Sequence, residues 1–437
     1  MMQGSRLLCK AQRCFHRGFF SRQSLSTLAA VEQHVLHVPN DEMMTDEVAE
    51  LVEEYTKKKQ TSASLDTLMR TGRGELLDRT RGEEFSFLDE HLPNDQVLMQ
   101  VASFLRKDLP VRLAHRIQDL DQVPSMRDMP SVQKVKNVYI DSFLALTSQP
   151  KIRSPEEEAE FATLLESLYS KHSNVLMQMA QGAYELREAV KNGQIDGSVC
   201  AENSQLVDFE NFHECHKFLD RFYSSRIGIR VLAGQYLALR EESMPNYVGM
   251  IGTHTSPYEL VQHAARDATF MCERRYNIAP HVEIKGSLGL TFPYFPTHLH
   301  YILLELLKNA MRATVENHEG IYTGTLPPIR VIIADGTENE DVVIKVSDEG
   351  GGISRSQMDK IWSYLYTTAS PTIQQDVLAD HCSESPIAGL GYGLPISRAY
   401  VRYFGGDLDI KSMEGHGTDA FVYLKRLGNS REPLPVD

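Results

Sequence analysis

Residues 298–315 read HLHYILLELLKNAMRATV, and their polar members fall where they could do chemistry together. At 3.6 residues per turn, Tyr301, Glu305, Lys308, Asn309 and Arg312 share one helix face. Leu299, Ile302, Leu303, Leu306, Leu307, Ala310 and Ala313 share the other, the face that packs. A carboxylate four residues before a carboxamide points both groups the same way. Glu305 can then accept a proton, and Asn309 can offer its carbonyl oxygen to a hard cation such as magnesium. Lys308 and Arg312 either contact phosphate or extend along the surface to solvent.

Two glycine clusters follow. Asp348-Glu349-Gly350-Gly351-Gly352-Ile353 comes directly after an apolar, β-rich run, and Gly389-Leu390-Gly391-Tyr392-Gly393-Leu394-Pro395 directly before a helical one. Glycine lets backbone approach a ligand with no Cβ in the way, and a glycine turn opening a helix presents free N–H groups to phosphate. Gly417-Thr418-Asp419 then opens a last apolar strand. Taken singly these signals are weak, since a lone Glu is usually a solvated helix carboxylate and Asp-Glu-Gly an ordinary turn. Their order in one segment is what reads as a nucleotide site.

That order resembles the ATP site shared by gyrase, the large heat-shock chaperone ATPases, sensor histidine kinases and the MutL repair proteins. Whole phrases resemble the mitochondrial pyruvate dehydrogenase kinases: LPVRLAHRI (109–117), FLDRFYSSRIGIRVLAGQYLAL (218–239), ELLKNAMRATVE (305–316), WSYLYTTA (362–369) and AGLGYGLPISRAYVRYFGGDLDIKSMEGHGTDAFVYLKRL (388–427). The resemblance runs from about residue 65 to the C-terminal end of the sequence. It implies an α+β protein, with an N-terminal all-α helical bundle of four-helix type and a C-terminal α/β sandwich of the histidine-kinase-like (GHKL) ATPase type. It makes Glu305 the general base that polarises a serine hydroxyl for in-line attack on the γ-phosphate, and Asn309 the magnesium ligand. Asp348 would accept a hydrogen bond from the adenine amino group.

The remaining nucleotide contacts that the resemblance implies are Leu306, Leu307, Lys308, Ala310, Met311 and Arg312 on the helix, then Gly350 and Gly352, Thr367 and Thr368, Gly389, Leu390, Gly391, Tyr392, Gly393 and Leu394, and Thr418. His172, Arg226 and Arg230 match positions around a regulatory 2-oxo-acid pocket in the helical half. ATP and magnesium, with potassium as a further cation, are the implied cofactors. The implied partners are the dehydrogenase α subunit as substrate, the lipoyl domains of the acyltransferase core, and a second copy of the chain through the C-terminal sheets. The complex is that of pyruvate, with the branched-chain complex as the alternative. Three departures stand out. Some members carry His four residues before the catalytic Glu, where this chain has Tyr301 with His300 one place earlier, so either that dyad is absent or His300 reaches in from an adjacent angle. Tyr169 replaces a basic residue beside the effector positions, and the only tryptophan is Trp362, so the C-terminal Asp-Trp element is missing.

Composition bounds the rest. At 437 residues the chain has room for two or three domains. A net charge of −14 argues against nonspecific nucleic-acid binding. Residues 1–31 carry Arg6, Lys10, Arg13, Arg17 and Arg22 with no acid before Glu32, the pattern of a mitochondrial transit peptide leading to the matrix. No run approaches the roughly 18 apolar residues of a membrane span. The six cysteines, Cys9, Cys14, Cys200, Cys215, Cys272 and Cys382, include no CxxC pair, which speaks against a disulfide framework or zinc site.

The helical half is expected at 32–240, with 32–64 only partly ordered until docked. Val97, Val101, Phe104 and Leu105 keep helical spacing, Pro110 predicts an interruption, and 132–147 resumes the pattern. Ser154, Pro155 and Glu157 write out a helix start with a capping box; helices over 175–191 and 211–239 complete the set. Residues 241–252 read as a linker and 253–427 as the ATP-binding domain, followed by a tail over 428–437. In that domain, runs at 329–334 and 342–347 predict a hairpin that delivers Asp348, and 368–386 a lid between the glycine clusters. A sensor-type histidine kinase would need H-E-x-x-x-P, which His213-Glu214-Cys215-His216 lacks. An ATP-gated chaperone or clamp would place its ATPase domain first, whereas here it comes last.

Overall fold

Ser154 begins its helix in the way its neighbours demand: its hydroxyl accepts from the Glu157 N–H and the Glu157 carboxylate accepts from the Ser154 N–H in return. The structure, a computed structural model, describes residues 44–76, 94–193, 213–318, 325–336, 341–366 and 391–434. Its first half is helical: α1 (Asp46–Thr56), α2 (Leu65–Gly72), α3 (Asn94–Gln122), α4 (Pro130–Thr147), α5 (Pro155–Lys171), α6 (Val175–Lys191) and α7 (His213–Leu239). The long helices bury one core that includes Leu105, Tyr139, Phe143, Phe161, Met179 and Phe222.

One expectation fails here for a physical reason. No interruption occurs at Pro110, because α3 runs through it. A proline inside a helix costs about 3 kcal/mol, but Leu105, Leu109, Leu113, Ile117 and Leu120 of the same helix are all buried, at about 1.5–3 kcal/mol each. The stretch after residue 44 is docked on the bundle: Thr45 caps α1, whose Val48, Leu51, Val52 and Tyr55 join its core. The expected transit segment lies outside the described residues.

The stretch read as a linker contains β1 (Tyr247–Val248), paired antiparallel with β2 (Ile251–Thr255). Gln235, near the end of α7, holds that turn by donating to the Val248 carbonyl at 2.9 Å and accepting from the Met250 N–H at 2.8 Å. Then come α8 (Pro257–Tyr276), β3 (Val282–Gly286), β4 (Phe292–Tyr294), α9 (Pro296–His318), β5 (Ile329–Asp335), β6 (Asp341–Ser347), α10 (Gly393–Tyr403), β7 (Asp407–Met413) and β8 (Gly417–Lys425). Five strands form a sheet in the order β3-β5-β6-β8-β7, parallel only between β3 and β5. Alternation decides its faces. Ile329, Val331, Val342, Ile344 and Val346 are buried in one core with the apolar faces of α8, α9 and α10, whereas Arg330 and Ile332 are exposed. Among the described residues, no helix is long and apolar enough to cross a membrane.

Candidate active site

On α9 the predicted split between faces is observed. Leu306, Leu307, Ala310 and Met311 are buried in the core and support the site from beneath, while Asn309 is exposed. Glu305 is the exception to its polar neighbours: only 7% of its surface is accessible. Lys308 donates to its Oε1 at 2.7 Å, and a Cβ added at Gly393 would lie 2.5 Å from its Oε2. The first residue of α10 must therefore be glycine for the carboxylate to sit where it does. Arg312 pairs with Glu316 at 3.2 Å.

Asp348 ends β6 and faces the β7–β8 hairpin. Its Oδ1 accepts from the N–H groups of Gly350 at 2.8 Å and Thr418 at 3.2 Å. Burial nevertheless pushes the carboxyl up to about 6, those two donors opposing the rise and Asp419 adding to it. Gly352 adopts φ +71°, and a Cβ there would lie 2.1 Å from the Met413 carbonyl, so this turn admits no other residue. The Ser412 hydroxyl, which sequence reasoning missed, bonds Thr418 Oγ1 at 2.9 Å and accepts from the Ile353 N–H at 2.7 Å. A serine in mid-strand carries no local signal of that role.

Thr367, Thr368, Gly389 and Leu390 lie outside the described residues, as does the stretch expected to form a lid. On either side of it, Gly391 sits against the Tyr366 carbonyl. Tyr392 packs its ring against Tyr364 and Tyr223 at centroid distances of 5.2 and 6.0 Å, so it is the Tyr392 backbone that can face a nucleotide. Leu394 packs against the ATP-domain core. Tyr364 donates to Asp220 of α7 at 2.7 Å, a tie between the two halves that no motif announced. His300 turns away from Glu305: its Nε2 meets Asp267 Oδ2 at 3.0 Å, on α8. Of the two arrangements open at that position, the one with His300 reaching Glu305 is thus not adopted.

The effector candidates do come together. Arg226 donates to the His172 carbonyl at 3.1 Å, His172 Nε2 meets Ser142 Oγ at 2.8 Å, and Arg230 stacks over Tyr169 at 4.0 Å. Burial, helped by Arg226, Arg230 and Lys171, pushes His172 down to about 3, so the ring is neutral at physiological pH. Arg226 is itself buried, and among the described residues no carboxylate pairs with it.

Comparison with known proteins agrees with this geometry. Residues 295–427 match the family described as histidine kinase-, DNA gyrase B- and HSP90-like ATPase, and residues 80–252 the one described as mitochondrial branched-chain alpha-ketoacid dehydrogenase kinase. The mitochondrial [pyruvate dehydrogenase (acetyl-transferring)] kinase of Arabidopsis thaliana is 42% identical over 399 residues, spanning 90% of this chain and 98% of that one. The chain belongs to the mitochondrial pyruvate dehydrogenase kinase family. Its member from Schizosaccharomyces pombe is 37% identical over 78% of this chain and 92% of its own, and isozyme 4 from Mus musculus is 38% identical over 76% and 78%. As in that family, an ATP-binding domain of the histidine-kinase-like type follows a helical half.

Proposed function

We propose that this chain is a mitochondrial matrix kinase that transfers the γ-phosphoryl of ATP to a serine on the α subunit of pyruvate dehydrogenase and thereby inactivates it. The observation that carries the reading is Glu305: a nearly buried carboxylate, paired to Lys308 and pressed under Gly393, with Asn309 exposed one turn on. In this reading Glu305 takes the proton of the serine hydroxyl as that oxygen attacks, and Lys308 and Arg312 face the phosphates. The exposed carboxamide of Asn309 is a hard oxygen donor beside them and fits magnesium, which when bound neutralises charge on the phosphate oxygens. Asp348 accepts from the adenine amino group. A protonated Asp348 is a weaker acceptor for that amino group, so ATP affinity is expected to fall as pH drops below about 6.

The proposal includes the division into a transit segment over 1–31, a helical domain over 32–240, a linker over 241–252, an ATP domain over 253–427 and a tail. It includes potassium as an accessory cation, docking on lipoyl domains, self-association through the C-terminal sheets, and 2-oxo-acid binding at His172, Arg226 and Arg230. The phosphorylated serine acts by placing a dianion near the dehydrogenase's active-site loop. One observation favours the branched-chain complex as a second reading, namely the family matched by residues 80–252. Incubation of the kinase with each purified complex and labelled ATP decides. Label and inactivation are expected on the pyruvate dehydrogenase α subunit, and Glu305→Gln is expected to lower the rate by about 10²- to 10⁴-fold.

A further inference from the structure

Glu305 has a second neighbour on its own helix. Tyr301 lies one turn earlier, at the spacing that brings side chains together. Its hydroxyl is buried and has no hydrogen-bond partner among the described residues, a state the interior tolerates poorly for a donor. The ring is held in place by Tyr400 of α10, at a centroid distance of 5.4 Å and an interplanar angle of 57°. Burial, with the Glu305 charge and Tyr400 adding to it, holds the phenol well above its ordinary range. It therefore remains a neutral donor across the working pH range.

The other charged and titratable groups around this point have engagements of their own. Lys308 holds Glu305 Oε1, and His300 is turned to Asp267. His298 packs on Tyr400 at 4.6 Å and is kept neutral by burial and by Arg230. Arg226 and Arg230 of α7 act electrostatically on Tyr400. A base locked in an ion pair is blunted, whereas a neutral hydroxyl orients a carboxylate and leaves its charge for the incoming proton.

We propose that Tyr301 is a positioning residue for the general base: once phosphate draws Lys308 away, the Tyr301 hydroxyl donates to the Glu305 carboxylate and holds it toward the serine hydroxyl. The proposal rests on reading Glu305 as that base. The test is steady-state kinetics of the full chain on the pyruvate dehydrogenase complex, with kcat and the KM for ATP measured from pH 5.5 to 9. Tyr301→Phe keeps the contact with Tyr400 and removes the donor. It is expected to lower kcat about tenfold, leave the KM for ATP within about twofold, and move the acid limb of the kcat profile to higher pH. Tyr301→His restores a donor and is expected to recover most of kcat. An unchanged kcat and profile in Tyr301→Phe overturns the proposal, and so does a loss without a shifted limb that Tyr301→His does not recover, since that is packing alone. Glu305→Gln, run beside them, separates the two ideas. If it is inactive while Tyr301→Phe is normal, only the positioning role falls; if it is fully active, both fall.

Discussion

Among the buried arginines of the helical half, Arg112 and Arg226 are treated in opposite ways. Arg112 of α3, 1% exposed, donates to Asp108 at 2.6 Å and to both Glu432 oxygens at 2.5 and 3.0 Å, and also to the Thr61 carbonyl. Tyr403 and the Ala63 N–H complete the shell of Glu432. Burial works against the Arg112 charge, yet Glu432 and Asp108 outweigh it and hold the guanidinium above its ordinary range. Arg226 of α7, 7% exposed, has among the described residues only carbonyl partners, at 3.1 and 3.5 Å, and burial together with Arg230 lowers it. The first is a finished ion cluster that ties helix, tail and ATP domain together. The second has no carboxylate among the described residues, which is the observation behind the proposed anion site.

The difference can be broken at its strongest point. Arg112→Met leaves two carboxylates buried without their cation, and should cost about 3–5 kcal/mol of stability, read as a fall in the denaturant midpoint. If the midpoint stays put, the cluster is not the clamp described.

A weaker effect separates the pocket by pH. His172 binds its proton only near pH 3 in the fold but at about 6.5 in the unfolded chain, so the unfolded state binds more protons in between. Stability contributed by the neutral ring is complete above about 6.5 and is lost as pH falls toward 3, roughly 2 kcal/mol by pH 5. Unfolding of His172→Gln across that range should show a shallower acid loss than the parent chain.

The smallest effect sharpens the contrast most. Arg226→Met removes a buried charge that has no carboxylate, so stability should change by less than about 1 kcal/mol. Inhibition by a small 2-oxo acid such as pyruvate should weaken by about tenfold or more. A stability loss as large as that of Arg112→Met would make the two arginines alike.

What the sequence determined by itself is whatever depends on near neighbours. Ser154, Pro155 and Glu157 start a helix because capping is settled within one turn, and the alternation over 329–347 sets both the hairpin and the position of Asp348 at its end. The shared face of Glu305, Lys308 and Asn309 follows from helical period alone. Tertiary structure decided what lies far apart along the chain. Gly393 meets Glu305 across 88 positions (393 − 305), Arg112 meets Glu432 across 320, and Tyr364 reaches Asp220 across 144. Pro110 belongs here too, because only the burial of its helix neighbours overrides its local cost. Period and caps are properties of a few adjacent residues, whereas the partner of a buried charge depends on the path of the whole chain. His300 shows this most plainly: one place from the expected position, it faces another helix and takes Asp267 as its partner.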